Sequence, residues 1–231
     1  LLRALLNFNL SKLVPEDEGE FLGVLNDLFP GRGGATPVDS AKFRSATQSA
    51  AVGLSLQPIH ELVVKVEQLH DILTVRSSVF VLGGATAGKS AVINTLAATY
   101  ALQGEKTTTQ VLNPKALTCD ELYGFVHPST REWKDGLVSQ IFRELSSTLT
   151  VPHQFVLFDG DVDPTWIESM NTVMDDNKML TLASSERIPL TSSMRLIFEV
   201  SHLQAASPAT VSRAGVVYLT PSDETWRALL A

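Results

Sequence analysis

The stretch VFVLGGATAGKSAVINTLAATYAL, residues 79–102, decides the fold. Four apolar, β-prone residues run into the octet GGATAGKS, and a helical pattern begins directly after it. The octet satisfies GxxxxGK(S/T), with Gly83, Gly88, Lys89 and Ser90 in the fixed positions. Phosphate binding demands this order. A strand ends, a turn without bulky side chains aims backbone N–H groups at the phosphates, and a helix opens with its positive dipole end at the same point. Gly83, Gly84, Ala85, Thr86, Ala87, Gly88, Lys89 and Ser90 are therefore the candidate nucleotide-binding residues. Lys89 reaches the β- and γ-phosphates in this scheme, and Ser90 ligates Mg²⁺. Val92, Ile93, Leu96 and Tyr100 share one face of the helix, and Gly104 is placed to end it. A chance glycine-rich turn would need neither the strand before it nor the helix after it. Thr86 stands where many such loops have an internal glycine, and a positive φ there would weaken binding.

Outward from this segment, the β-rich runs TTQVL (108–112), FVLF (155–158), LIFEV (196–200) and VVYL (216–219) alternate with helical stretches. Apolar runs separated by helices predict an α/β fold whose parallel sheet is covered on both faces. Upstream the rhythm is helical. IHELVVKVEQLHDILTVR, after Pro58, places Ile59, Leu62, Val63, Val66, Leu69 and Leu73 on one stripe. From Glu16 to Phe29, the residues Phe21, Leu22, Leu25, Leu28 and Phe29 share a face. LLRALLNFNL reads as a helix apolar on most sides, PGRGGATP (30–37) as a loop, and TWRALLA as the start of another helix. PTWIESMNTVMDDNKML (164–180) predicts a helix opened by Pro164, with Trp166, Ile167, Met170, Val173 and Met174 as core and its DDNK acids as a solvated end. LTLASSERIPL (180–190) has the alternation of a β-hairpin with a polar tip.

The chain has 231 residues, of which 44% are hydrophobic and 19% charged, enough apolar material for one α/β domain with an appendage. Lys+Arg number 18 against 25 Asp+Glu, a net charge of −7 with a pI near 5.2. That balance argues against bulk attraction to nucleic acid or anionic lipid, so neither is expected as a partner. The single cysteine, Cys119, makes no internal disulfide, which suits a reducing compartment. No apolar run approaches the roughly 20 residues of a membrane span. The opening is interrupted by Arg3 and Asn7 and makes a poor signal peptide. With no initiator Met, the chain is read as a piece of a longer protein.

A phosphate loop of this kind needs an acidic residue at the end of a second buried strand to hold the magnesium shell. FVLFDGD supplies Asp159. Hydrolytic members normally follow that residue with Glu, the base that orients water, whereas Gly160 stands here. A positioned base is worth about 10²–10⁴-fold in rate, so binding without useful turnover is expected. The alternative base would be Asp161 or Asp163. A GTPase would want NKxD, but Asn177-Lys178 is followed by Met179-Leu180. An arginine-rich kinase lid is not found either. SPATVSRAG (207–215) forms a short helical stretch ending in Ser212-Arg213, and LIFEV ends in Ser201-His202, where a hydrolysing module has a polar sensor.

These elements together resemble the second AAA+ module of a dynein heavy chain of the axonemal group. The carrying segments are RALLNFNLSKLVPEDEGEFLGVLNDLFPG, GGATAGKS, LNPKALTCDELYGFVHPSTREWKDGL, LFDGDVDPTWIESMNTVMDDNKMLTLASSERIPL and SPATVSRAG. They run from Arg3 to Gly215, and none of them falls in residues 32–57. The resemblance implies a P-loop NTPase fold of the AAA+ type, with sheet order 5-1-4-3-2 and N-terminal helices before it. Residues 1–57 would connect from the preceding module, and 58–231 would be the large α/β subdomain, with the helical lid following residue 231. It further implies ATP or ADP with Mg²⁺ at Gly83–Ser90, the metal at Ser90 and, through water, Asp159. Arg213 would be an arginine finger serving the preceding module's ATP site. YGFVHPSTREWKDG and the LTLASSERIPL hairpin would face the moving linker. The implied partners are the neighbouring AAA+ modules and linker of the same heavy chain, and the microtubule through the full motor. The implied location is the cytoplasmic cytoskeleton, in the axoneme of a cilium or flagellum. The rival readings are an active AAA+ ATPase with a non-standard base and a nucleotide-free structural module.

Overall fold

Residues 15–30, 38–148 and 150–220, with Leu5, Asn9 and Leu13, are described in a computed structural model. The expectations for LLRALLNFNL, PGRGGATP and TWRALLA lie wholly or mostly outside the described residues. In chain order the helices are α1 (Pro15–Leu28), α2 (Val38–Gly53), α3 (His60–Val75), α4 (Lys89–Leu102), α5 (Cys119–Tyr123), α6 (Leu137–Ser147), α7 (Pro164–Ile167), α8 (Asn171–Met174) and α9 (Pro208–Arg213). The strands are β1 (Ser78–Leu82), β2 (Thr107–Leu112), β3 (Gly124–Val126), β4 (Trp133–Asp135), β5 (His153–Asp159), β6 (Met179–Thr181), β7 (Arg187–Pro189), β8 (Met194–Val200) and β9 (Gly215–Tyr218).

The main sheet has the strand order β2-β5-β8-β1-β9. Counting only its own five strands, that is 5-1-4-3-2 read from the β9 edge, as the resemblance implied. β2 and β8 both pair parallel to β5, with Leu112 opposite Phe158 and Asp159 opposite Glu199. Val79, Phe80 and Val81 are fully buried, and so, nearly, are Phe155 to Phe158. Burial of consecutive residues means that both faces of these strands are covered, which is why they are spelled as unbroken apolar runs. The edge strand β2 is spelled differently, with three threonines and an exposed Val111.

The chain forms two compact units. The first comprises residues 1–75, 81–104 and 216–231. Here α3 buries Leu62, Val63, Val66, Leu69, Ile72 and Leu73, which adds Ile72 to the predicted stripe and leaves out Ile59, half-buried just before the helix. α4 buries Val92, Ile93, Leu96 and Tyr100 as predicted, and Gly104 at φ 83 follows its end. α2 lies in a stretch the sequence left unassigned. Its buried residues are Phe43, Thr47, Ala50 and Ala51, a helical spacing built mostly from small side chains. Phe43 stacks on His70 at 4.3 Å, His70 Nδ1 lies 2.8 Å from Tyr100 Oη, and Arg44 grips Glu67 through Nε and Nη2 at 2.9 and 2.6 Å. The stripe predicted on α1 is only partly covered: Leu25 is buried, whereas Leu22 and Leu28 are exposed.

The second unit comprises residues 76–80 and 105–215. Its centre is an aromatic cluster. Phe158 stacks on Trp166 at 5.7 Å and on Phe198 at 4.9 Å, and Phe198 meets Phe80 at 4.9 Å. Two antiparallel hairpins, β3–β4 and β6–β7, flank α6 in the chain. The second is the hairpin read from LTLASSERIPL, with Leu182, Ile188 and Leu190 buried and Ser184 to Arg187 exposed. The helix predicted over 164–180 is a correction. It ends at Met174 after a 3-10 turn at Glu168–Met170, and Asp175 is extended. Asp and Asn side chains compete for backbone hydrogen bonds and stop helices, and Asp175-Asp176-Asn177 sit at this break.

The hairpins are tied together. Arg143 on α6 donates from Nη1 and Nη2 to Asp135 of β4 at 2.9 and 3.1 Å, and from Nε and Nη2 to Glu186 at 3.2 and 2.9 Å. By sequence alone, alanine at Glu186 and Arg187 should leave stability within ~0.5 kcal/mol. The clamp changes that expectation for one of them. Arg187→Ala should stay within that limit, Glu186→Ala should lose about 0.2–1 kcal/mol, and Arg143→Ala, which breaks both pairs, should lose more than either. Urea denaturation of the three variants checks the ranking, and equal midpoints for all would show that the clamp adds nothing.

Candidate functional site

The phosphate loop lies in the first unit, and all eight of its residues follow β1 without interruption into α4. Gly83 has a structural reason to be glycine. A Cβ there would stand 2.7 Å from the carbonyl oxygen of Leu219 and 3.1 Å from the Ala87 Cβ, because the end of β9 passes beside it. Gly88 adopts φ 82 and caps α4 without a side-chain hydrogen bond. The first-turn N–H groups of a helix have no intrahelical acceptor, so such a bare start presents donors to an anion. Lys89 curls over its own loop and donates from Nζ to the carbonyls of Gly83 and Gly84, both at 2.8 Å. An ammonium has three N–H donors, so one remains for a ligand beyond these two. Thr86 does adopt the positive φ feared for it, 64°, with its hydroxyl bonded to the Ala85 carbonyl at 2.5 Å. A non-glycine residue held there stores about 1–2 kcal/mol in the loop. Ser90 is exposed at the start of α4. A polyphosphate fits this donor set, because the loop offers backbone amides, one ammonium and no carboxylate.

The β5 end lies in the second unit. Asp159 is its last residue and is exposed, and Gly160 N–H donates to the Glu199 carbonyl at 3.2 Å. The two acids that might replace a catalytic Glu are already engaged. Asp161 accepts the Ser201 amide on Oδ1 at 2.8 Å and the Lys115 ammonium on Oδ2 at 3.3 Å. The Ser201 N–H, and then Lys115, hold its carboxyl below the usual range. Asp163 caps α7, accepting the Thr165 hydroxyl at 2.6 Å and amide at 2.9 Å, which lower its pKa in turn. A carboxylate stabilised in its charged form is a weak base. Beside Gly160, the Asn113 side chain takes the Lys115 amide on Oδ1 at 3.0 Å, and a Cβ added to Gly160 would lie 3.1 Å from that oxygen.

Arg213 ends α9 in the same unit. It is half-buried rather than freely solvated. Its Nε donates to Asp175 Oδ1, and its Nη1 to the Ala209 carbonyl at 2.9 Å. One turn earlier, Thr210 Oγ1 donates to Asn171 Oδ1 at 3.0 Å, and Ser207 accepts the Thr210 amide at 3.2 Å to cap the helix. The structure thus keeps the loop residues Gly83–Ser90 in one unit, with Asp159 and Arg213 in the other. Sequence reasoning missed Asn113, Lys115 and Asp175, each of which acts through a partner 38 to 47 positions away or across a gap that no motif spans. For Asp175 one signal existed: it stands four residues after Asn171, on the same helical face, in a stretch read only as a solvated end.

Comparison with known proteins covers the whole length. The family described as "AAA domain (dynein-related subfamily)" matches residues 78–214. The one described as "Hydrolytic ATP binding site of dynein motor region" matches residues 1–90. The "Dynein beta chain, flagellar outer arm" of Chlamydomonas reinhardtii is 52% identical over 100% of this chain. The "Dynein beta chain, ciliary" of Tripneustes gratilla is 50% identical over 100% of it, and the "Dynein axonemal heavy chain 10" of Homo sapiens 46% over 98%. The chain spans 5% of the length of each of these relatives. Among the described residues, no helix is long and apolar enough to cross a membrane. The match over residues 78–214 takes in more than half of the chain and holds the phosphate loop, the β5 end and Arg213 together, so the chain belongs to the dynein-related subfamily of AAA domains.

Proposed function

We propose that this chain is a nucleotide-holding AAA module of an axonemal dynein heavy chain. It binds ATP or ADP with Mg²⁺ at Gly83–Ser90, turns it over negligibly, and lends Arg213 to the ATP site of the preceding module. Lys89 and the loop amides hold the phosphates, and by motif Ser90 and Asp159 take the magnesium side. The bound ion would neutralise phosphate charge. Residues 1–57 serve as the connector from the preceding module and 58–231 as the large subdomain. The two hairpins meet the linker, and the motor acts on microtubules in a cilium or flagellum.

The observation that carries the reading is the state of the acids around Gly160. No Glu stands there, and Asp161 and Asp163 are spent on the Ser201 amide, Lys115 and the α7 cap. Steady-state phosphate release tests this. The wild-type chain should release phosphate at background, and Gly160→Glu should raise release toward the ~10²–10⁴-fold that a base supplies. Gly160 stands at φ 158, where a side chain is strained, and Asn113 must also give way by a few tenths of an ångström, so the gain should fall short of that full range and Gly160→Glu with Asn113→Ala should exceed Gly160→Glu alone. Mg²⁺-dependent release by the wild type at the rate of a working AAA ATPase, lost on Lys89→Ala, would overturn the proposal.

A further inference from the structure

The acid that holds Arg213 has no role in the reading above. Asp175 follows α8, the short helix that leaves the β5 end through α7, and it faces α9 across two polar rungs. The first rung joins Asn171 to Thr210, which is fully buried, at 3.0 Å. The second joins Asp175 to Arg213 Nε. Asp175 caps the end of α8, its amide donating to the Asn171 carbonyl at 3.0 Å, so it stands one turn on from Asn171, while Thr210 and Arg213 are spaced i, i+3 along α9. The Arg213 carbonyl is itself fixed, accepting Arg76 Nη1 at 3.3 Å. A guanidinium has five N–H donors. The bonds to Asp175 and Ala209 use Nε and one N–H of Nη1, and Nη2 has no partner among the described residues.

We propose that Asp175 is the positioning residue for Arg213: it grips the inner edge of the guanidinium so that the Nη2 edge is presented to the phosphoryl group of a neighbouring module's nucleotide. This rests on the assignment of Arg213 as a finger acting in trans. Arginine carries large rotamer freedom, and an anchor at Nε removes most of it while leaving the outer N–H groups for the ligand. A reacting group misplaced by about 1 Å can lose ~10²-fold in rate, so the anchor matters to turnover far more than to folding. A plain structural pair at this partial exposure would matter slightly to both.

The test is the ATP turnover of the full-length heavy chain carrying Asp175→Ala, Asp175→Asn, Arg213→Ala or the Asp175→Ala/Arg213→Ala pair. Asp175→Ala should lower kcat about 10–100-fold with KM unchanged. Asp175→Asn, which keeps an acceptor oxygen at the same place, should recover most of that loss. In the Arg213→Ala background, Asp175→Ala should have no further effect. If Arg213→Ala collapses turnover while Asp175→Ala leaves kcat within about twofold, the positioning role is wrong and the finger stands. If Asp175→Ala raises turnover, Asp175 restrains Arg213 rather than guiding it, which also overturns the proposal. If Arg213→Ala itself leaves turnover intact, the finger assignment falls first and takes this one with it.

Discussion

Arg213→Ala in the full-length heavy chain is expected to lower ATP turnover by about 10³–10⁵-fold, the range that an arginine finger supplies by stabilising charge on the transferring phosphoryl group. Arg213→Lys should do nearly as badly, because an ammonium offers neither the planar fork nor a second edge to carry both Asp175 and a phosphate. The local consequence is far smaller. The variant gives up a partly exposed ion pair and one bond to the Ala209 carbonyl, about 1 kcal/mol of folding stability. Nucleotide held at Gly83–Ser90 should remain bound, since no loop residue changes. Turnover and melting temperature measured on the same preparation separate the two effects. Retention of most of the ATPase activity would reduce Arg213 to a helix-end charge paired with Asp175.

Lys89→Ala should weaken nucleotide binding by about 10–10²-fold. A charge-assisted hydrogen bond contributes roughly 1.5–3 kcal/mol, and the N–H that the loop carbonyls leave free is placed to make one to a phosphate oxygen. In the chain as it stands, Lys89 also ties the Gly83 and Gly84 carbonyls, so the variant loosens the loop as well as removing the charge. Ligand that binds only the folded chain raises its melting temperature, and that rise should vanish in Lys89→Ala. A dissociation constant within about threefold of wild type, by calorimetric titration with Mg·ATP, would mean that the nucleotide binds elsewhere.

What the sequence shows of this fold follows the strength of each local signal. The five sheet strands were legible because central parallel strands are buried on both faces and must be written as apolar runs, whereas their order came only from the family resemblance. The loop was legible because backbone approach, helix start and lysine come at fixed spacing. Helix α2 was not. Its inner face is Phe43, Thr47, Ala50 and Ala51, and small residues that let two helices approach closely carry little hydrophobic contrast. The end of α8 at Met174 was misread because a run of acids and Asn continues a helical pattern on paper while its side chains compete for the backbone. The candidate site divides in the same way. Lys89, Asp159 and Arg213 stand in recognisable phrases. The partners that decide how they behave do not: Asn113 beside Gly160, Lys115 and Ser201 on Asp161, and Asp175 on Arg213 are brought there by chain crossings. The sequence correctly placed the tip of the 180–190 hairpin on the surface, but not its attachment, because Arg143 lies 43 positions before Glu186.

A site that holds nucleotide without consuming it gives its ligand back unchanged. The most direct measurement is to equilibrate the purified 231-residue chain with Mg·ATP, remove free nucleotide, denature the protein after increasing delays, and identify what is released. Each wild-type chain should release about one nucleotide, still ATP at every delay, and Lys89→Ala should release none. Conversion of the bound ATP to ADP and phosphate within seconds, or a wild-type chain that releases no nucleotide at all, would contradict it.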